Sequence, residues 1–308
     1  MLTNNRLIIL LIIHLIVGIL IGLFISTKRS VNELNYSSST IPKKNSTKTP
    51  LNISSYIEII DFNKPINANF TSFRESISIW DEEGVTRILR LLLRYPHLDF
   101  IDIGANIGTY TMYAAALGRF VLAIECFALN TDRIHRAVQL ANVSNRVVLV
   151  KNALYTHSGQ YLRLSNHPIN VGGQELDVVT KPKTNQQTIS NQSIINDPYI
   201  VTTITLNELV PILHARGMRG AIIKMDIEGS ESFALESGSQ VFDLFDIPFI
   251  QMEWFKVRGF PDRAKFLLDF FTKRGYVPQT FLCQVLDVQR TDVWPSDLCW
   301  TKKDFSFC

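Results

Sequence analysis

Two short stretches hold residues whose types and spacing suit chemistry. The first is DIGANIG at Asp102–Gly108, followed after a second apolar run by Glu125. Gly104 and Gly108 allow a tight turn and a close backbone approach to a ligand. The helix that follows directs its free N–H groups at that ligand. Glu125, at the end of the second strand, is placed to accept hydrogen bonds from both hydroxyls of a ribose. Asn106 stands where the G-x-G-x-x-G fingerprint has its second glycine, the one that admits a pyrophosphate, and this argues against NAD or FAD. A nucleoside without phosphates fits better, and S-adenosylmethionine (SAM) is the common one. The second stretch is KMDIEGSE at Lys224–Glu231. Side chains alternate along a strand, so Lys224 and Asp226 share one face. Central parallel strands normally read as apolar runs, and polar groups there need partners or water to offset desolvation.

Two readings of that second stretch stand side by side. One is a structural ion pair. The other is a catalytic group facing a methyl donor, with Glu253 joining from the end of the adjacent strand. Methyl transfer asks the protein to align an acceptor and to help it lose a proton. Asp226 is the candidate for positioning or deprotonating a hydroxyl, Lys224 for tuning its charge, and Glu228 for binding substrate. Asp226, Glu228 and Glu253 form an oxygen set of the kind that holds a divalent cation, but no histidine stands at the strand ends. A metal-independent reaction is therefore expected.

The residues also carry a resemblance. D-x-G-A-N-x-G at Asp102–Gly108 with Glu125 resembles motif I of class I SAM-dependent methyltransferases. IIKMDIEGSE at Ile222–Glu231 is similar to the I-K-x-D-x-E-G-x-E block of the FkbM family, and ITLNEL at Ile204–Leu209 to its T-L-D-x-L element. The acid after the second strand is usually followed by proline, where this chain has Cys126, and Asn207 replaces an acid. The resemblance implies an open, doubly wound, mostly parallel Rossmann-like α/β sheet of seven strands. It implies SAM as cofactor and an O-methylation reaction. It also implies a cofactor site made by Asp102, Gly104, Ala105, Asn106, Gly108 and Glu125, with Asn152 and Ala153 beside the adenine after the third strand.

The elements that must position these residues follow from periodicity. Leu98–Ile103 reads as a strand, Thr109–Leu117 as its crossover helix stopped by Gly118, and Phe120–Ile124 as the next strand. Asp81–Tyr95 is an amphipathic helix capped by Asp81, with Glu82 and Glu83 in its first turn. A helix over Asn130–Asn142 and a strand over Val147–Val150 come next. Tyr155–Ile200 has no clear period and reads as a polar insertion on the ligand side, where His157 and His167 are exposed loop residues. Ala221–Asp226 and Pro248–Glu253 are strands separated by a helix over Ser230–Leu244. After a helix over Asp262–Arg274, Tyr276–Cys283 and Gln284–Gln289 are expected to form a final antiparallel pair.

The 308 residues are 46% hydrophobic, ample for one large core, and a net charge of +3 with no aromatic-interleaved basic stripe gives no reason to expect a nucleic-acid partner. Leu7–Ile25 is nineteen residues, apolar but for His14, Gly18 and Gly22, and at about 28 Å it matches a bilayer core. The expected organisation is a cytosolic tail at 1–6, a transmembrane signal-anchor at 7–25, a polar stem at 26–55 and a methyltransferase domain at 56–308. Arg6 against Lys28 and Arg29 leans weakly towards a cytosolic carboxyl side. Against that stand N-x-[ST] sequons at Asn35, Asn45, Asn52, Asn69, Asn142 and Asn191, four of them between Asn35 and Thr71. Cys283, Cys299 and Cys308 crowd the carboxyl end as a disulfide-stapled tail would. A luminal domain in the Golgi or endoplasmic reticulum is the expectation. Its acceptor would be a hydroxyl on a glycan or small molecule. The alternatives are a metal-dependent glycosyltransferase using Asp226-x-Glu228, and a non-catalytic SAM-binding module.

Overall fold

A computed structural model describes residues 53–64, 81–166, 173–180 and 197–307. The expected tail and membrane anchor, nearly all of the stem, His167 and every sequon but Asn142 lie outside these residues. Among the described residues no helix is long and apolar enough to cross a membrane.

The chain alternates strand and helix: α1 (Glu82–Arg94), β1 (Asp99–Ile103), α2 (Thr109–Ala116), β2 (Val121–Ile124), α3 (Ala128–Leu140) and β3 (Val147–Val150). It continues with β7 (Gly220–Met225), α6 (Glu231–Glu236), α7 (Ser239–Leu244), β8 (Asp246–Glu253), α8 (Pro261–Thr272), β9 (Tyr276–Gln279) and β10 (Asp297–Lys302). The seven strands line up as β3-β2-β1-β7-β8-β10-β9, parallel from β3 to β8 with β10 antiparallel to both neighbours. The order reverses between β1 and β7. Such a switch point leaves a crevice at the strand carboxyl ends where ligands bind.

Alternation sorts the sheet residues between two cores. Ile101, Ile103, Ile223 and Met225 point to the side covered by α6, α7 and α8, where Leu235, Phe242 and Phe271 pack. Phe100 and Ile222 point to the other side, against Leu89 and Leu92 of α1 and Ala114 of α2. Asp102 and Lys224 therefore lie on the α1–α2 side, directly paired in the β1–β7 register, with Gln251 opposite Lys224 on β8. The result is a polar row, Asp102–Lys224–Gln251, across an otherwise apolar sheet.

Three expectations change. The segment Tyr155–Ile200 is not wholly irregular: β4 (Ala153–Leu154), β5 (Tyr161–Arg163) and β6 (Ile200–Ile204) form a small sheet, with a short helix α4 (Asp177–Thr180) beside it. This sheet carries its own apolar cluster of Leu162, Leu164, Leu176 and Val201. The single helix expected over Ser230–Leu244 is broken at Ser237–Gly238. There the Ser237 hydroxyl donates to the Tyr155 carbonyl oxygen at 3.0 Å, tying the break to the small sheet. The long antiparallel partner of β9 is β10, and the expected pairing with Gln284–Gln289 is limited to its start, an antiparallel bridge from Val285 to Gln279 flanked by hydrogen bonds from the Thr280 N–H to the Gln284 carbonyl and from the Leu286 N–H to the Pro278 carbonyl. Before β7, α5 (Val210–Ala215) follows the ITLNEL segment, where Thr205 and Glu208 make a reciprocal capping box. The departure at Asn207 has a role of its own, since its side-chain oxygen accepts from the Gln240 N–H at 2.9 Å.

Candidate active site

A cavity of about 370 Å³ runs along the carboxyl ends of the strands, from Asn152 and Ala153 after β3 to Asp297 at the start of β10. Its floor is the turn after β1. Gly104 has φ 78°, and an added Cβ would fall on the Asp226 carbonyl oxygen. Its glycine is therefore set by the backbone just beyond β7 as much as by any ligand. Gly108 has φ 89° and packs against Ile134 of α3. Asn106, also left-handed at φ 52°, donates its N–H to Glu125 Oε2 at 2.8 Å and receives Asn130 Nδ2 at 3.2 Å. The Phe127 N–H reaches the other carboxyl oxygen of Glu125 at 2.8 Å. Glu125 is thus fixed at the cavity wall by two backbone donors. Burial pushes its pKa up to about 7, against the pull of those donors and of Lys224.

Past β1 the wall becomes ionic. Lys224 Nζ donates to the Gly104 carbonyl oxygen at 2.8 Å and pairs with Asp226 Oδ2 at 3.4 Å. Burial works to lower the Lys224 pKa, but Asp226 and Asp102 outweigh it and the net shift is upward. The ammonium is held in its charged form where it steadies both the turn after β1 and the Asp226 carboxylate. Asp226 itself is 42% exposed in its side chain, so one face of the pair stays open to the cavity. Beyond it, burial and the charges of Asp226, Glu228 and Glu231 raise Glu253 to about 9. Asp297, paired opposite Glu253 in the β8–β10 register, is raised to about 6 by burial and by Asp226 and Asp81.

The structure brings Gly104, Ala105, Asn106, Glu125, Asn152, Ala153, Lys224, Asp226, Glu228 and Glu253 together on this wall. It does not bring Asp102 or Gly108 to it. Asp102 is fully buried beneath the turn and accepts from the Thr111 hydroxyl at 2.7 Å, which locks α2 onto β1. Asn152 has a structural duty besides, receiving the Glu58 N–H at 2.8 Å and donating to the carbonyl oxygens of Tyr56 and Thr202. Glu228 is drawn aside by Lys256, at 2.7 Å. Among the described residues no group of three or more His, Cys, Asp or Glu side chains is arranged to hold a metal ion. Asp81, Tyr110, Phe127, Ser230, Gln251 and Asp297 also line the cavity, and sequence reasoning gave none of them a place there. Asp81 looked like a helix cap and nothing more. Asp297 could be reached only by pairing β10 with β8.

A family model described as the methyltransferase FkbM domain matches residues 102–278, more than half of the chain. The chain belongs to the FkbM methyltransferase family. It is a SAM-dependent methyltransferase by that membership, which removes the glycosyltransferase alternative. No curated protein matches the chain. Among solved structures it is similar to the O-methyltransferase from Bacillus cereus in complex with SAH, at 10% identity and TM-score 0.38, covering 74% of this chain and 84% of that one. Cofactor-bound Rv0187 from MTB matches at 13% identity and TM-score 0.38, covering 75% and 84%. Precorrin-6y C5,15-methyltransferase from Geobacter metallireducens GS-15 matches at 10% and 0.35, covering 76% and 96%.

The cavity of this methyltransferase fits its cofactor. Its volume lies in the usual range for small-molecule sites, about 300–1,000 Å³. Apolar and amide groups (Phe127, Asn152, Ala153, Leu154) line the end where a base would rest. Glu125 keeps free lone pairs on both oxygens, because each accepts only one backbone N–H.

Proposed function

We propose that this methyltransferase transfers a methyl group to a hydroxyl oxygen, and that Asp226 takes the hydroxyl's proton. The observation that carries the reading is the Lys224–Asp226 pair. It stands at the switch point of the sheet, with its carboxylate open to the cavity and its ammonium anchored on the loop that floors the cofactor end. SAM, when bound, supplies an electrophilic methyl group and needs no further activation. Glu125 then holds the ribose, and Ala105 and Asn106 border it. The opening of α2 at Thr109–Tyr110 favours the carboxylate of the methionine portion. Lys224 stabilises Asp226 as a carboxylate until it accepts the proton, and the raised pKa of Glu253 keeps a neighbouring carboxyl protonated, able to donate to an acceptor oxygen.

The same reading extends to topology. The apolar run at 7–25 acts as a signal-anchor and the catalytic domain faces a secretory lumen, where the acceptor is a glycan or another secretory-pathway molecule. Cys283 takes part in a disulfide, which suits an oxidising compartment. Asn142, the one described sequon, is exposed at the turn that ends α3. The test is transfer from methyl-labelled SAM to a panel of neutral glycans by the full-length chain. Label should appear in alkali-stable ethers, and Asp226→Asn, which keeps the shape but not the basicity, should lower kcat by roughly 10²–10⁴-fold. Label confined to alkali-labile esters or to amines, or an Asn variant of full activity, would contradict this reading.

A further inference from the structure

Asp81 opens α1 in a left-handed backbone conformation, φ 51° and ψ 52°, which is uncommon for a residue with a side chain. Its carboxylate is nevertheless held firmly. Oδ1 accepts from the Gly84 N–H at 3.2 Å, and Oδ2 accepts a hydrogen bond from the Tyr110 hydroxyl. Tyr110 is itself pinned by Gln251 Nε2 at 2.9 Å, and Gln251 by Arg87 Nη1 at 3.0 Å. At Gly84 any Cβ would collide with both the Asp81 carboxylate and the Tyr110 hydroxyl. Four residues therefore fix one exposed carboxylate on the cavity wall. Helix capping alone needs neither the tyrosine nor the chain of donors behind it.

Among the described residues no Lys or Arg forms an ion pair with this carboxylate, and its two held donors are neutral. It stands beside Thr109 and Tyr110, on the helices that flank β1. A cofactor whose ribose rests on Glu125 at the end of β2 must send its tail across β1, over Gly104, towards this wall. The acceptor's path lies further on, at β7 and β8, where Asp226 stands. That tail is an amino acid, and it carries one anion and one cation. The opening of α2 suits the anion. We infer that Asp81, fixed by Tyr110, binds the α-ammonium group of the methionine portion of SAM.

This rests on the cofactor reading of the cavity, and the experiment separates the two. Isothermal titration of the full-length chain compares S-adenosylhomocysteine, which keeps the amino-acid tail, with methylthioadenosine, which lacks it. Asp81→Asn preserves the cap and the acceptor for Tyr110 while removing the charge. It should weaken S-adenosylhomocysteine roughly ten-fold or more, the scale of a charged hydrogen bond, and leave methylthioadenosine within about two-fold. Tyr110→Phe, which frees the carboxylate to wander, should shift the two ligands in the same unequal way but less. Equal loss for both ligands, or no loss for either, would overturn the role of Asp81. Failure of the unaltered chain to bind either ligand would instead overturn the cofactor reading.

Discussion

At the scale of single residues, the site is a set of carboxyl groups that burial has pulled apart in acidity. Glu125 is raised to about 7 and Glu253 to about 9, and Glu231, buried off the cavity wall where it accepts from the Ile227 N–H, is raised to about 7 as well, with desolvation the largest cause in each. In an unfolded chain such groups release their protons near pH 4.3. Between that value and 7 the native state therefore holds protons that the unfolded state has lost, so stability falls as pH rises. Chemical denaturation of the ligand-free protein at a series of pH values should show stability falling steadily from pH 5 to pH 8. A flat or rising profile would mean that these carboxyls are better solvated than their positions indicate. Such tuning is what a site needs when one acid must accept a proton while its neighbours stay protonated.

At the scale of elements, the decisive contact is the turn after β1 lying on the first residue beyond β7. Gly104→Ala would place a methyl group against the Asp226 carbonyl oxygen in a backbone conformation that alanine resists. Left-handed strain and overpacking together predict a loss of roughly 2–5 kcal/mol, read as a lower urea midpoint. Retention of full stability would show that the turn relaxes without disturbing Asp226. Much of this layer was legible in the sequence. β1, α2, β2 and β3 fall where apolar runs, Gly118 and local spacing put them, because each is decided by neighbours in the chain. What was not legible depends on distant partners. β10 is recognised only by its register with β8 and β9, and the small sheet only because β6 gathers β4 and β5 around Leu162 and Val201. The cofactor turn was visible as a motif. The places of Asp81 and Asp297 on the same wall were not, because they arrive from far along the chain. Asp102 shows the reverse: its type and position suggested ligand contact, yet it lies buried under Thr111.

At the scale of the whole molecule, two placements of the catalytic domain differ in redox environment and in access to glycosylation. The carboxyl-terminal cysteines divide unevenly. Cys283 is disulfide-bonded, whereas Cys299 is a free thiol buried in β10, its pKa pushed up by that burial. The disulfide expected within this cysteine cluster thus involves Cys283 and leaves out Cys299, while Cys308 lies outside the described residues. In a luminal domain, glycosidase treatment of the full-length protein should increase its gel mobility, and Cys283 should resist alkylation until reduced. A protein from animal cells with no glycan and a reactive Cys283 would place the domain in the cytosol. Beneath either topology lies the claim that the crevice at the strand carboxyl ends is the SAM site, ordered around Glu125. The most direct measurement is the affinity of SAM for the unaltered chain and for Glu125→Ala, by calorimetry above pH 7 where the carboxylate is ionised. Loss of a charged hydrogen-bond acceptor should weaken binding by roughly 1.5–3 kcal/mol, at least ten-fold, in a variant that unfolds as cooperatively as the parent. Equal affinities in the two proteins would contradict the placement of the cofactor.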